Sequence, residues 1–295
     1  MNSADVFAII GPTASGKSAY AIELAQEYDG VIVNFDSMQV YNALPILTAQ
    51  PSAEEQTQVQ HHLYGYIDPA ESCNAARWAH DAAHLIRDLL MQGRKPILVG
   101  GTGLYFKALV NGLSPIPEID PSLREELSTL DTDTLTQQLK SHDPEALSNF
   151  KPNDRQRIMR ALEVFKGTGK SILWWQAQDN KKLLEDITYH VHVKNPDRDA
   201  LADKINQRVH DMLDMGALEE VRDLSDKVNS GHVPEDAGIV MAHGFRVFRA
   251  FLNGETTLTN AIERTQAETR QYAKRQRTFL RHQLKLSKVV SIRDI

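Results

Sequence analysis

Cysteine is nearly absent from this 295-residue chain, where Cys73 stands alone. One thiol makes neither an internal disulfide nor a multi-cysteine zinc site, so staples of either kind are excluded as the source of stability. Long apolar runs are missing too. The first, VFAII (6–10), is too short for a membrane span or the core of a signal peptide, and the MNSAD ahead of it has no basic residue. No membrane segment is expected, and the expected location is the cytoplasm. Positive charge is also in short supply: the net charge is -6, an average that argues against nucleic acid as a partner. What remains, 41% hydrophobic and 24% charged residues, is the composition of a globular protein long enough to bury a large core.

The average conceals clustering. Glu118, Asp120, Glu125, Glu126, Asp131, Asp133, Asp143 and Glu145 face only Arg124 and Lys140 in their stretch of chain. Near the C-terminus the sign reverses, with Arg264, Arg270, Lys274, Arg275, Arg277, Arg281 and Lys285 against Glu263 and Glu268. Arg270, Lys274, Arg277 and Arg281 share one helical face, which reads either as a solvated face or as a track for phosphates. Arg155, Arg157, Arg160, Lys166 and Lys170 form a second basic segment.

FAIIGPTASGKSAYAIELAQ (7–26) reads as strand, loop and helix. Gly11, Gly16, Lys17 and Ser18 satisfy G-x-x-x-x-G-K-[ST] in the context which that pattern requires. Such a loop aims main-chain N–H groups from Gly11, Thr13, Ala14, Ser15 and Gly16 at a diphosphate, adds Lys17 as a point charge, and offers the Ser18 hydroxyl to Mg2+.

Further strands are expected at VIVNF (31–35), PILVG (96–100), ITYHVHV (187–193) and VVSI (289–292), separated by helices such as 74–92, 197–215, 217–228 and 257–282. Alternation of this kind implies a parallel sheet covered on both faces. The rhythm stops at the proline-rich LSPIPEIDP (113–121), and only helical patterns follow until the strand near 187. The expected fold is α/β, a P-loop NTPase-like parallel sheet flanked by helices, with residues 1–115 and 186–295 as catalytic core and 116–185 as an all-helical insertion domain.

Ligands gather at the carboxyl ends of parallel strands. The second strand ends in Asp36-Ser37-Met38-Gln39, and an acid here can hold Mg2+, accept a proton from a nucleophile, or cap a helix. The third ends in glycines and Thr102, without the acid that a motor-type NTPase places there, so the ATPase reading weakens and a small-molecule transferase gains. His190 and His192 alternate on one strand face, but no cysteine or acid nearby in sequence completes a metal site. Trp174 and Trp175 read as packing within the insertion.

GPTASGKS (11–18), DSMQVY (36–41), ILVGGTGLYFKAL (97–109), NDRQRIMRALEVF (153–165), QRVHDML (207–213) and TRQYAKRQ (269–276) together resemble the bacterial tRNA dimethylallyltransferases, over most of the chain and in the right order. The resemblance implies transfer of a dimethylallyl group from dimethylallyl diphosphate to N6 of the adenosine 3' of the anticodon, in tRNAs reading codons that begin with U. The loop would then hold a prenyl diphosphate where its motif suggests ATP. By the same resemblance Asp36 is the general base, Thr102 lies beside the acceptor adenine, Arg208 binds the diphosphate, and Asp36, Ser37, Met38, Gln39 with Gln156, Arg157, Ile158, Met159, Arg160 contact tRNA. The insertion is expected to grip the anticodon stem, and a monomer is expected. Two departures stand out: Ala242-His243-Gly244-Phe245-Arg246 where many members have a Gly-Tyr pair after Ile or Val, and Phe279 where Trp is common. The rival readings are a nucleoside or nucleotide kinase, an adenylate prenyltransferase acting on a free nucleotide, and a non-catalytic RNA-binding scaffold.

Overall fold

The structure, a computed structural model, describes residues 5–283 and 289–294. Strands β1 (Asp5–Ile10), β2 (Gly30–Asn34), β3 (His61–His62), β4 (Lys95–Gly100), β5 (Thr188–Val193) and β6 (Val289–Asp294) form one sheet in the order β3-β2-β4-β1-β5-β6. Every neighbouring pair is parallel. β3, with two residues, carries too little pattern to be read from sequence.

Helices α1 (Lys17–Tyr28), α2 (Pro45–Thr48), α3 (Ala53–Gln58) and α4 (Ala75–Met91) connect the first four strands, and α5 (Gly103–Asn111) follows β4. β1 and β2 are buried at every position, as continuous β-branched and aromatic runs covered on both faces should be. On one face Ala21, Leu24 and Ala25 of α1 meet Phe7, Ile9, Ile32 and Ile97. Toward α4, Trp78 is fully buried, stacks on Tyr105 at 5.1 Å and donates its Nε1–H to the Asn34 carbonyl at 2.9 Å. Truncating such a side chain to Ala costs about 3–5 kcal/mol.

By internal contacts the chain divides into residues 1–111 with 183–295, and residues 112–182. The second unit holds α6 (Pro121–Ser128), α7 (Thr132–His142), α8 (Pro144–Ser148), α9 (Arg155–Thr168) and α10 (Ile172–Gln176) around Leu127, Leu135, Leu139, Ile158, Leu162 and Ile172. Its acidic run has a structural use. Asp120, Asp131 and Asp143 accept main-chain N–H groups at the starts of α6, α7 and α8, and Asp154 does so for α9. The unit closes on itself where Leu113 and Lys181 exchange antiparallel hydrogen bonds of 3.1 and 2.8 Å. Packing describes only one of the two tryptophans: Trp175 lies against the core, whereas Trp174 is 41% exposed, with the Lys170 ammonium 3.4 Å from its ring centroid.

After β5 come α11 (Arg198–Asp214), α12 (Ala217–Asn229), α13 (Phe245–Leu252) and the long α14 (Leu258–Gln283). Strand pairing at β5 brings together groups that lie far apart in sequence. An acid does come near the histidines, because β1 pairs with β5 and sets Asp5 Oδ2 3.6 Å from His190 Nε2. The two rings are also tied separately, His190 Nδ1 to Ser291 Oγ at 3.0 Å and His192 Nδ1 to the Tyr20 hydroxyl at 2.9 Å. Among the described residues no group of three or more His, Cys, Asp or Glu could hold a metal ion, and no helix is long and apolar enough to cross a membrane.

Candidate active site

Strand order decides what meets at the carboxyl edge of the sheet. β1 lies between β4 and β5, and β2 adjoins β4, so the exits at Gly11, Gly101, Lys194 and Asp36 share one edge. Gly11 is required there, since a Cβ on it would stand 2.3 Å from the Lys194 carbonyl oxygen.

Between Gly11 and α1 the loop turns through left-handed conformations at Ala14 (φ 61) and Gly16 (φ 83). Successive main-chain N–H groups turned inward in this way form an anion-binding concavity. Gly16 precedes α1 with no side-chain cap, so the first N–H groups of a three-turn helix are open to a phosphate. Ser15 is buried with no hydrogen-bond partner for its Oγ, whereas Ser18 is exposed at the helix start. Lys17 Nζ donates to the Pro12 carbonyl at 2.6 Å. Burial among the loop groups pushes its ammonium down to about 8, with Asp36 opposing and Arg208 adding to the shift.

Arg208, from α11, reaches the loop and donates Nη1–H to Thr13 Oγ1 at 3.0 Å. Burial lowers its guanidinium pKa, and Asp36 offsets part of that. Asp36 is fixed by Asn34, a fully buried side chain that sequence reading passed over. Asn34 Oδ1 accepts the Asp36 N–H at 2.7 Å, and Nδ2 donates to the carbonyls of Asp36 and Leu63. Asp36 Oδ1 accepts the Met38 N–H at 3.0 Å, a local turn with no helix following, so helix capping is not its use. Thr102 Oγ1 accepts the Ser37 N–H at 3.0 Å and donates to Ser37 Oγ at 3.2 Å, which ties the exits of β2 and β4 together.

A cavity of about 360 Å³ is lined by Thr13 to Ala19, Asp36, Gln39, Lys204, Arg208 and Asp211. A smaller one of about 60 Å³ shares Thr13, Ala14, Asp36 and Arg208, and its walls are Met38, Leu47, Ile205, Val209, Met212, His243 and Tyr272. The charged loop thus adjoins a narrow, largely apolar pocket, with one carboxylate common to both. Gln39 lines the larger cavity, but its amide donates to the Thr48 and Ala49 carbonyls. His243 has its ring centroid 4.8 Å from that of Tyr272, and burial lowers its pKa, with Arg275 adding to the effect. Phe279 packs on Gly103, where a Cβ would stand 2.0 Å from its ring.

The second segment expected to contact RNA lies on α9 of the inserted unit. Gln156 and Arg157 are exposed and Met159 and Arg160 half-buried, but Ile158 is in the core, 1% exposed. Arg160 Nη1 lies 3.0 Å from Glu163 Oε2, an oxygen that Arg124 also contacts. On the main unit, the basic face of α14 lines a groove of about 660 Å³ against α11, where Arg198 joins Arg270, Lys274, Arg277 and Arg281.

A parallel sheet with a G-x-x-x-x-G-K-[ST] loop after its first strand and an acid after its second, sharing one cavity, defines a phosphate-loop α/β protein. The chain belongs to the IPP transferase family, whose model matches residues 39–283, and it is a transferase of that family. It is 45% identical to a tRNA dimethylallyltransferase of Azorhizobium caulinodans, over 94% of this chain and 88% of that one. A tRNA dimethylallyltransferase of Rhizobium johnstonii is 43% identical, over 96% of each chain. Among solved structures, a eukaryotic dimethylallyltransferase acting on tRNA superposes with a TM-score of 0.80 at 30% identity, over 94% of this chain and 69% of that one. The tRNA isopentenylpyrophosphate transferase of Bacillus halodurans does so with a TM-score of 0.69 at 32% identity, over 99% and 89%.

Proposed function

We propose that this chain transfers the dimethylallyl group of dimethylallyl diphosphate to N6 of the adenosine immediately 3' of the anticodon, in tRNAs that read codons beginning with U. The observation that carries the reading is Asp36, which lines both the phosphate-loop cavity and the small apolar pocket beside it. A nucleoside kinase would seat an acceptor base in such a pocket too, and the match to the IPP transferase family favours transfer of a prenyl group.

The loop N–H groups, Lys17 and Arg208 bind the diphosphate. As the allylic C–O bond breaks, its electron pair leaves with the diphosphate, and the same donors stabilise the growing negative charge. The adenine N6 lone pair forms the new C–N bond, and the N6 proton passes to an Asp36 carboxylate oxygen. Thr102 holds Ser37, and with it the chain after Asp36, beside the acceptor. An adenine in a stacked loop cannot reach this edge, so the base is flipped into the pocket. The donors available for a metal are hard oxygens, Ser18 Oγ at the helix start with Asp36 and Asp211 on the same cavity, a set that suits Mg2+ completed by diphosphate and water better than a protein cage. Ser18 would hold the ion, which when bound supplies positive charge to the departing diphosphate.

Asp36 to Gln39 would meet the tRNA from the core unit, with the α11–α14 groove as a phosphate track. Gln156, Arg157 and Arg160 would meet it from the inserted unit. The test is incubation with radiolabelled dimethylallyl diphosphate and unmodified tRNA, with labelled ATP and a nucleoside in parallel. Label is expected on tRNA from the first mixture only; phosphate transfer from ATP without prenylation would overturn the reading.

A further inference from the structure

Gln276, on α14, is 5% exposed and sits between the phosphate loop and the exit of β4. Its Oε1 accepts the Thr13 N–H at 2.8 Å, and its Nε2 donates to the Gly101 carbonyl at 3.1 Å. Only a side chain with a donor and an acceptor at fixed spacing can do both: a carboxylate cannot donate, and an ammonium cannot accept. Both partners are main-chain groups of reacting segments, Thr13 in the loop and Gly101 next to Thr102. The chain makes room for the amide, because a Cβ on Gly101 would stand 2.1 Å from Nε2. One helical turn earlier, the Tyr272 hydroxyl lies near Thr102 and Gln276. A single helix therefore holds the diphosphate side and the acceptor side of the site in register.

We propose that Gln276 is a positioning residue that sets the spacing between the diphosphate loop and the Thr102 side of the site, and hence the distance over which the allylic carbon meets its acceptor nitrogen. The proposal rests on the transfer reading above, and Gln276 acts through Thr13 and Gly101. Loss of the amide leaves two buried main-chain groups without partners, and the loop shifts to find others. A displacement of this kind slows a transfer by up to about 100-fold although no reacting group has been removed.

The experiment compares single-turnover rates at saturating dimethylallyl diphosphate and unmodified tRNA for wild type, Gln276→Leu and Gln276→Glu, beside tRNA binding isotherms. Gln276→Leu should slow transfer by about 10- to 100-fold with tRNA affinity unchanged. Gln276→Glu restores the donor and acceptor pair only when its carboxyl is protonated, so the ratio of its rate to that of wild type should climb as pH falls from about 8 to about 5.5. With each rate normalised to the folded fraction measured at that pH, a residue that served stability alone would leave the ratio unchanged. A Leu variant that turns over at the wild-type rate, or a Glu ratio independent of pH, overturns the proposal. Should the Leu variant fail to fold, the Glu ratio decides. Wild-type enzyme that transfers no dimethylallyl group would strike the transfer reading itself, whereas active wild type with unaffected variants strikes Gln276 alone.

Discussion

Asp36 and Lys17 face one cavity, and the proposed transfer gives them different parts that substitution separates. Asp36→Asn keeps the size of the side chain and removes the proton acceptor, so single-turnover transfer should fall by about 10²- to 10⁴-fold with tRNA binding little changed. Near-normal transfer would instead assign Asp36 to support of a metal. Lys17→Ala should weaken dimethylallyl diphosphate binding as well as the rate, because the ammonium meets charge that is present before reaction and grows during it. Titration of binding beside rapid-quench rates distinguishes the two outcomes. At this scale the loop was legible because its residues are contiguous and the motif states their geometry. Asn34 and Gln276 were not, since their roles depend on partners brought by the fold, in the case of Gln276 from 263 positions away. An amide in a helix and an asparagine ending a strand carry no local sign of that.

β1 and β5 pair along their full length, and their first residues supply a pH-sensitive tie at the far end of the sheet from the reaction. Thr188 Oγ1 donates to Asp5 Oδ1 at 2.5 Å, and this bond, with His190 nearby, holds the Asp5 carboxyl below its usual range against the opposing effect of burial. A depressed carboxylate pKa contributes stability that is present above the unfolded value, about 3.9, and lost as pH falls through the folded one. The stability difference between wild type and Asp5→Asn, read from urea midpoints, should therefore be full at neutral pH and shrink below about pH 4. In α9, Arg157 is 67% exposed on its side chain and only loosely paired, 3.4 Å from Asp154, whereas Arg160 is held by the buried Glu163. Arg157→Ala should thus lower tRNA affinity without loss of stability, and reduce the salt slope by about 0.7–0.9 for each phosphate contact removed. An unchanged slope would assign the arginine to the solvated surface. Element types followed from apolar periodicity, which is local. The pairing of Asp5 with His190 could not be read the same way, because it depends on which strands become neighbours.

For the molecule as a whole, a chain of net charge -6 that acts on RNA must bind through local patches, so tRNA affinity should fall steeply with added salt. A salt titration of both substrates should show the larger dependence for tRNA, whose contacts span more phosphates. The sheet and the interruption between its halves were legible as a change of period at the proline-rich 113–121 stretch, because proline and glycine punctuate structure wherever they occur. The ends of the interruption were blurred for the same reason: the chain divides at 112 and 182, at a hydrogen-bonded neck that has no periodic signal. That neck bears on folding. β1 and β5 must find each other across 183 positions, yet a segment whose two ends are pinned together subtracts its own contour from the search. Loop-closure entropy grows only as the logarithm of length, so the intervening residues burden the sheet by about 0.4 kcal/mol at most. The inserted helices are therefore nearly free cargo for the sheet. Replacement of residues 112–182 by a short glycine-serine link should leave a core that still melts cooperatively and still binds dimethylallyl diphosphate, while its hold on tRNA is weakened to what the α11–α14 groove supplies.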